Sequence, residues 1–169
     1  MKPFILLLLG LACAPSTFAQ GQDSTYKYWM TLGVGIDRDW SSSVSYSFSW
    51  GDNFYRVSFL DRGASRWLKP GGLDEDGYLF KAIDFGIGGR IQSGWFRMSE
   101  FVGPSFLFGR KQLPGNVDGP FTSVGISLDA EFMFRPADEI GMGVALFGNG
   151  NFEKSFMGYN IRISFGNGK

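Results

Sequence analysis

Apolar and polar residues alternate along most of this chain. In SVGISLDAEFMF, residues 123–134, the even positions Val124, Ile126, Leu128, Ala130, Phe132 and Phe134 are apolar. The odd positions are Ser123, Gly125, Ser127, Asp129, Glu131 and Met133. A period of two is the mark of a β-strand with two unlike faces. The same alternation predicts a strand over 26–36, where Tyr28, Met30, Leu32, Val34 and Ile36 oppose Trp29, Thr31, Gly33 and Gly35. In SVSYSFSW, residues 43–50, serines alternate with Val44, Tyr46, Phe48 and Trp50. After a tight turn at 51–53, Tyr55, Val57 and Phe59 continue opposite Arg56 and Ser58.

Four further strands follow the same rule. Over 78–91, Ile83, Phe85, Ile87 and Ile91 oppose Asp84, Gly86, Gly88 and Arg90. Next, Val102, Pro104, Phe106 and Phe108 oppose Gly103, Ser105 and Gly109. The strand quoted first spans 121–135. Ile140, Met142, Val144 and Leu146 then oppose Gly141, Gly143 and Ala145. In the last strand Met157, Tyr159, Ile161, Ile163 and Phe165 oppose Gly158, Asn160, Arg162 and Ser164. The pattern therefore predicts eight strands in all. Polar, Gly/Pro-punctuated loops are expected at 61–76 and 110–120, with shorter connections at 37–40, 92–97, 136–138 and 149–154.

The chemistry of the two faces decides which is inside. A soluble barrel or sandwich coats its outer face with charged side chains. Here the polar faces are mostly Ser and Gly, which suit a crowded lumen better than water. The apolar faces hold more large residues than one small core accommodates: the chain has 18 Phe, 6 Tyr and 5 Trp. The economical arrangement is inside-out, with apolar side chains in lipid. Closure into a barrel then follows, because lipid cannot satisfy open strand edges. Tyr28, Trp40, Tyr46, Trp50, Tyr55, Trp95 and Tyr159 are candidates for interfacial aromatic belts. Lys81 and Glu100 fall on the lipid side and are expected at the outer and inner rims.

Composition narrows the rest. Residues 1–19 read as a secretory signal peptide: Lys2 precedes an apolar run over 4–11, and Thr17, Phe18 and Ala19 offer a cleavage site. Cleavage after Ala19 leaves residues 20–169 as one barrel domain. Cys13, the only cysteine, lies in that segment. Gly10 stands where a lipoprotein signal favours a leucine-like residue, so ordinary cleavage is expected instead of lipidation. The mature chain then has no disulfide. Sixteen basic residues balance sixteen acidic ones, with no basic stripe, so nucleic acid is not an expected partner.

Together these features resemble the small eight-stranded outer-membrane β-barrels of the OmpA/OmpX type, and the short outer membrane protein β-barrel domain families of Bacteroidota. The resemblance covers the whole mature chain and rests on architecture. Its most local element is GYNIRISFGNGK, where Tyr159, Ile161, Ile163 and Phe165 are similar to the C-terminal signal read by the barrel-assembly machinery. Asn160 and the extension past Phe165 depart from that signal. The resemblance implies an all-β fold: an eight-stranded antiparallel transmembrane β-barrel, an up-and-down meander. It also implies the outer membrane of a Gram-negative bacterium, with termini in the periplasm and the longer loops outside.

Asp129 and Glu131 share one face with backbones roughly 7 Å apart, a spacing compatible with a catalytic acid pair. A narrow lumen offers no sugar cleft, however. The expected alternative is a lumenal charge network of Arg56, Asp84, Arg90, Asp129, Glu131 and Arg162. Mutual pairing removes most of the cost of burying those charges. A Glu131–Arg162 contact is expected, crossing Gly141, Gly143 and Ala145 on the strand between. The absence of histidine excludes His-based catalysis and disfavours zinc or copper sites, and no cofactor is expected. Arg62, Arg66, Trp67 and Lys69 in the loop at 61–76 could contact lipopolysaccharide phosphates. The expected function is therefore non-enzymatic: a monomeric membrane barrel, its lumen plugged, with a structural or surface-interaction role in contact with outer-membrane lipid. A narrow pore and a secreted lipocalin-like binder are the two alternatives.

Overall fold

The computed structural model describes residues 26–36, 40–62, 77–115, 117–137 and 139–166. The signal segment, Cys13, Arg66, Trp67 and Lys69 lie outside them. Eight strands run in order: β1 (Tyr28–Ile36), β2 (Trp40–Trp50), β3 (Asn53–Arg62), β4 (Tyr78–Ser93), β5 (Phe96–Leu113), β6 (Val117–Phe134), β7 (Ile140–Asn151) and β8 (Phe156–Phe165). Each pairs antiparallel with the next, and β1 pairs with β8 through Met30↔Phe165 to Ile36↔Tyr159, closing the barrel. Closure leaves no strand edge in the wall, the condition lipid imposes.

Side-chain direction follows the alternation. Along β1, Trp29, Thr31, Gly33 and Gly35 are buried while Tyr28, Met30, Leu32, Val34 and Ile36 are exposed. The same division holds in β7 and β8, where Ile161 reaches 68% exposure beside Arg162 at 4%. The outside of the wall is apolar, and most of the charged and polar side chains of the strands turn inside. That arrangement is the reverse of a lipocalin-like binder, so the soluble alternative falls. Among the described residues Trp50 and Trp95 are the most exposed tryptophans, and they sit at the β2–β3 and β4–β5 turns. Gly51 and Gly94 make those turns with φ of +60° and +54°, a conformation glycine adopts without a Cβ penalty.

Several strands run longer than the sequence reading expected. β2 begins at Trp40, extending the ladder toward the outer end. β3 runs through Arg62, so Arg62 belongs to the wall and not to a loop. The segment read as a loop at 110–120 is mostly hairpin, with β5 reaching Leu113 and β6 starting at Val117. Arg110↔Pro120 and Leu113↔Val117 remain in register because each strand templates the other's backbone, whatever its side chains. The two lipid-side charges also separate. Lys81 stands near the outer end of β4, with Asp61 Oδ2 3.5 Å from its Nζ. Glu100 is not at a rim: it lies four residues into β5, opposite Gly89 and Ala130.

Candidate functional site

The lumen holds the polar chemistry of this chain, and inward positions of β3, β5, β6 and β8 build its centre. Inward alternation on β6 presents Asp129 and Glu131, which alternation on β3 and β8 meets with Arg56 and Arg162. The Arg56 guanidinium donates from Nη1 to Asp129 Oδ1 (2.5 Å) and from Nη2 to Glu131 Oε2 (3.0 Å). Arg162 donates from Nη2 to Asp129 Oδ2 (2.5 Å) and from Nη1 to Glu131 Oε2 (3.2 Å). Arg97 on β5 closes the ring from below, donating from Nη2 to Glu131 Oε1 (2.9 Å) and Ser164 Oγ (3.2 Å). Ser47 and Asn160 accept from the Nε atoms of Arg56 and Arg162. Glu131 is fully buried, and three arginines share it. Charge-assisted bonds of this kind are what allow an acid to stay ionised away from water.

The Glu131–Arg162 contact crosses β7 where the lumen shows Gly141, Gly143 and Ala145. A Cβ on Gly143 would lie 1.9 Å from Phe132 O, so nothing larger than glycine fits there without a shift of backbone. The long side chains of β6 and β8 meet over this low floor.

Two members of the expected network stand apart. Arg90 faces the lumen nearer the end that carries the β2–β3 and β4–β5 turns, with its guanidinium 5.3 Å from the Trp29 ring and 5.0 Å from Phe54, and no carboxylate joins it among the described residues. Aromatic faces supply its electrostatic partner in place of an acid. Asp84 lies higher, accepting from Ser58 Oγ at Oδ2 (3.2 Å) and making no ion pair among the described residues. It lines a cavity of about 30 Å³ with Ser58, Ser127, Asp129 and Asn149, room for about one or two waters.

Arg62 is corrected as a lipopolysaccharide contact. It is 3% exposed, turned inward, with its guanidinium 5.1 Å from the Phe80 ring. Around it lies a feature the sequence reading missed. Leu60, Phe80, Ala82, Leu107, Phe121 and Phe147 form an apolar cap in the outer half of the lumen, with Tyr78 and Phe156 packed against it. Its signal was legible as large apolar residues on inward-parity positions of five strands. Trp29, fully buried with the Arg97 guanidinium 4.7 Å from its ring, was likewise visible as an inward position.

A closed meander of eight strands with lipid-facing apolar residues and an ionic interior is a transmembrane β-barrel. Comparison with solved structures agrees, and places the fold among the small outer-membrane barrels. The N-terminal β-barrel domain of Pseudomonas aeruginosa OprF matches with a TM-score of 0.65 at 11% identity, over 87% of this chain and 99% of that one. Yersinia pestis Ail in a phospholipid nanodisc matches with 0.54 at 10% identity, over 84% and 99%. Neisserial surface protein A matches with 0.51 at 11% identity, over 83% and 94%. No family model matches the sequence, and no curated protein does.

Proposed function

We propose that this protein is a non-enzymatic barrel of a Gram-negative outer membrane whose work is done at the cell surface, by its β5–β6 hairpin, and not through its lumen. The carrying observation is the register of β6. It pairs with β7 only from Gly125↔Asn151 onward, so residues 117–124 have one ladder partner, β5, and present an unpaired backbone edge beyond the wall, although the Ser123 and Phe121 side chains reach Asn151 and Phe80. Such an edge is a template for an extended segment of another protein. Pro120 lies within it and removes one donor, which blunts indiscriminate pairing. The ionic centre and the apolar cap both fill the lumen, which supports an occluded interior over a pore. One of the structural neighbours, Ail, is the attachment invasion locus protein of Yersinia pestis, and attachment is the kind of work proposed for this hairpin.

The test is display of the full chain and of a variant in which residues 110–120 are replaced by a two-residue turn. Equal outer-membrane levels and equal heat-modifiable gel mobility are the entry condition. Attachment of the displaying cells to surfaces and to one another is then compared. Loss of attachment in the shortened variant is expected; equal attachment by both overturns the reading.

A further inference from the structure

Glu100 is a carboxylate on the wrong side of the wall. Its neighbours Ser99 and Phe101 are buried inward, at 1% and 4% exposure, so alternation turns Glu100 toward lipid. The positions beside it are small: Gly89 on β4 and Ala130 on β6, also outward. A carboxylate flanked by two such residues sits in a shallow notch among Ile91, Met98, Val102 and Phe132, the adjoining outward positions.

Its depth follows from the strand. Trp95, Phe96 and Phe134 mark the periplasmic interface, with Trp95 edge-on to Phe134 at 6.1 Å. Four residues of β-strand span roughly 13 Å, or roughly 10 Å along the membrane normal at the usual tilt of such strands. An apolar band is about 25 Å tall, so Glu100 lies well within it. No ion pair or hydrogen bond engages its carboxylate among the described residues. Lys81, which also turns outward, differs on both counts: it is near the outer end and has Asp61 beside it. An ionisable group held in the hydrocarbon without a partner marks a functional site, and its missing partner is of opposite charge.

We propose that Glu100, with Gly89 and Ala130, is an intramembrane docking site for a partner segment that presents a cationic side chain at this depth. The small flanking residues allow close approach, as they do between membrane helices. A second copy of this chain is a poor occupant. Its outward cations among the described residues, Lys81 and Arg110, stand at or above the outer end of the wall, so an upright neighbour offers none at the level of Glu100. The site is independent of the outer hairpin.

The experiment uses the full chain refolded in phosphatidylcholine vesicles. A donor dye sits on a cysteine introduced at Ser93. The probe is an acceptor-labelled leucine/alanine transmembrane peptide carrying one lysine roughly 10 Å from one end, against an otherwise identical lysine-to-leucine peptide. Energy transfer should show the lysine peptide associating at least tenfold more strongly. That preference should vanish in Glu100→Gln and fall in Ala130→Leu, which keeps the charge and narrows the notch. Equal association of the two peptides, or a preference that survives Glu100→Gln, overturns the proposal. So does concentration-dependent transfer between barrels alone that is lost in Glu100→Gln, which would assign the site to a second copy. Unchanged preference in Ala130→Leu would remove the notch from it.

Discussion

Glu131 carries more of the lumen's electrostatics than any other side chain. It is fully buried and accepts from Arg56, Arg97 and Arg162, three cations that otherwise face one another. Removing one member of a buried ionic cluster strands the rest, at a cost of about 3–5 kcal/mol. Glu131→Gln should therefore lower the barrel's unfolding free energy by that order in urea titrations in vesicles, while Glu139→Gln, outside the lumen, should change it little. A Glu131→Gln barrel as stable as the parent would mean that water, not the carboxylate, compensates the arginines. Gly143 makes the complementary prediction. Its Cβ would meet the Phe132 carbonyl oxygen at 1.9 Å, so Gly143→Val should cost about 1–3 kcal/mol or more by overpacking, read by the same titration. Residue-level legibility was uneven for a physical reason. Parity along a strand assigns each side chain a face, and that put Arg56, Asp129, Glu131 and Arg162 together. Height along the barrel depends on register, which parity does not contain. Arg90 and Asp84 share the face of the network and miss its level, one falling against Trp29 and Phe54, the other against Ser58.

At the scale of elements, the β5–β6 hairpin shows what composition hides. Residues 110–120 include two Gly and two Pro among mostly polar residues, a composition that signals a loop. The ladder continues through them because each strand supplies the hydrogen bonds of the other, from Gly109↔Phe121 to Leu113↔Val117. Arg62 was misassigned by the same error at the end of β3, where Arg62↔Phe80 is a wall pair. The hairpin tip at Pro114 and Gly115, with Gly115 at φ +88°, carries no wall pairing and should accept an inserted epitope. Antibody should label that epitope on intact cells, whereas the same epitope at Gly94, in the β4–β5 turn, should label only after the outer membrane is permeabilised. Labelling of both on intact cells, or of neither, would remove the orientation on which the surface reading stands.

Across the whole molecule, the occlusion proposed for the lumen has two layers along its length. The ring of Arg56, Arg97, Arg162, Asp129 and Glu131 fills the centre, and the cap of Leu60, Phe80, Leu107, Phe121 and Phe147 fills the outer half. The two obstructions differ in kind: one is held by charge pairing, the other by exclusion of water from packed apolar groups. Barriers in series need both to be opened before an ion crosses. Phe80→Ala with Phe121→Ala should leave planar bilayers silent, because the ionic ring still spans the bore. Asp129→Ala with Glu131→Ala should also be silent, because hydrated ions meet a dry cap above. The fourfold variant, once shown to retain heat-modifiable mobility, should open steps in current. The freed arginines Arg56 and Arg162 should make those steps anion-selective, since a cationic lining concentrates anions. Conduction by either double variant alone would show that the remaining layer is no barrier, and steps in the unmodified protein would return the narrow-pore reading to first place.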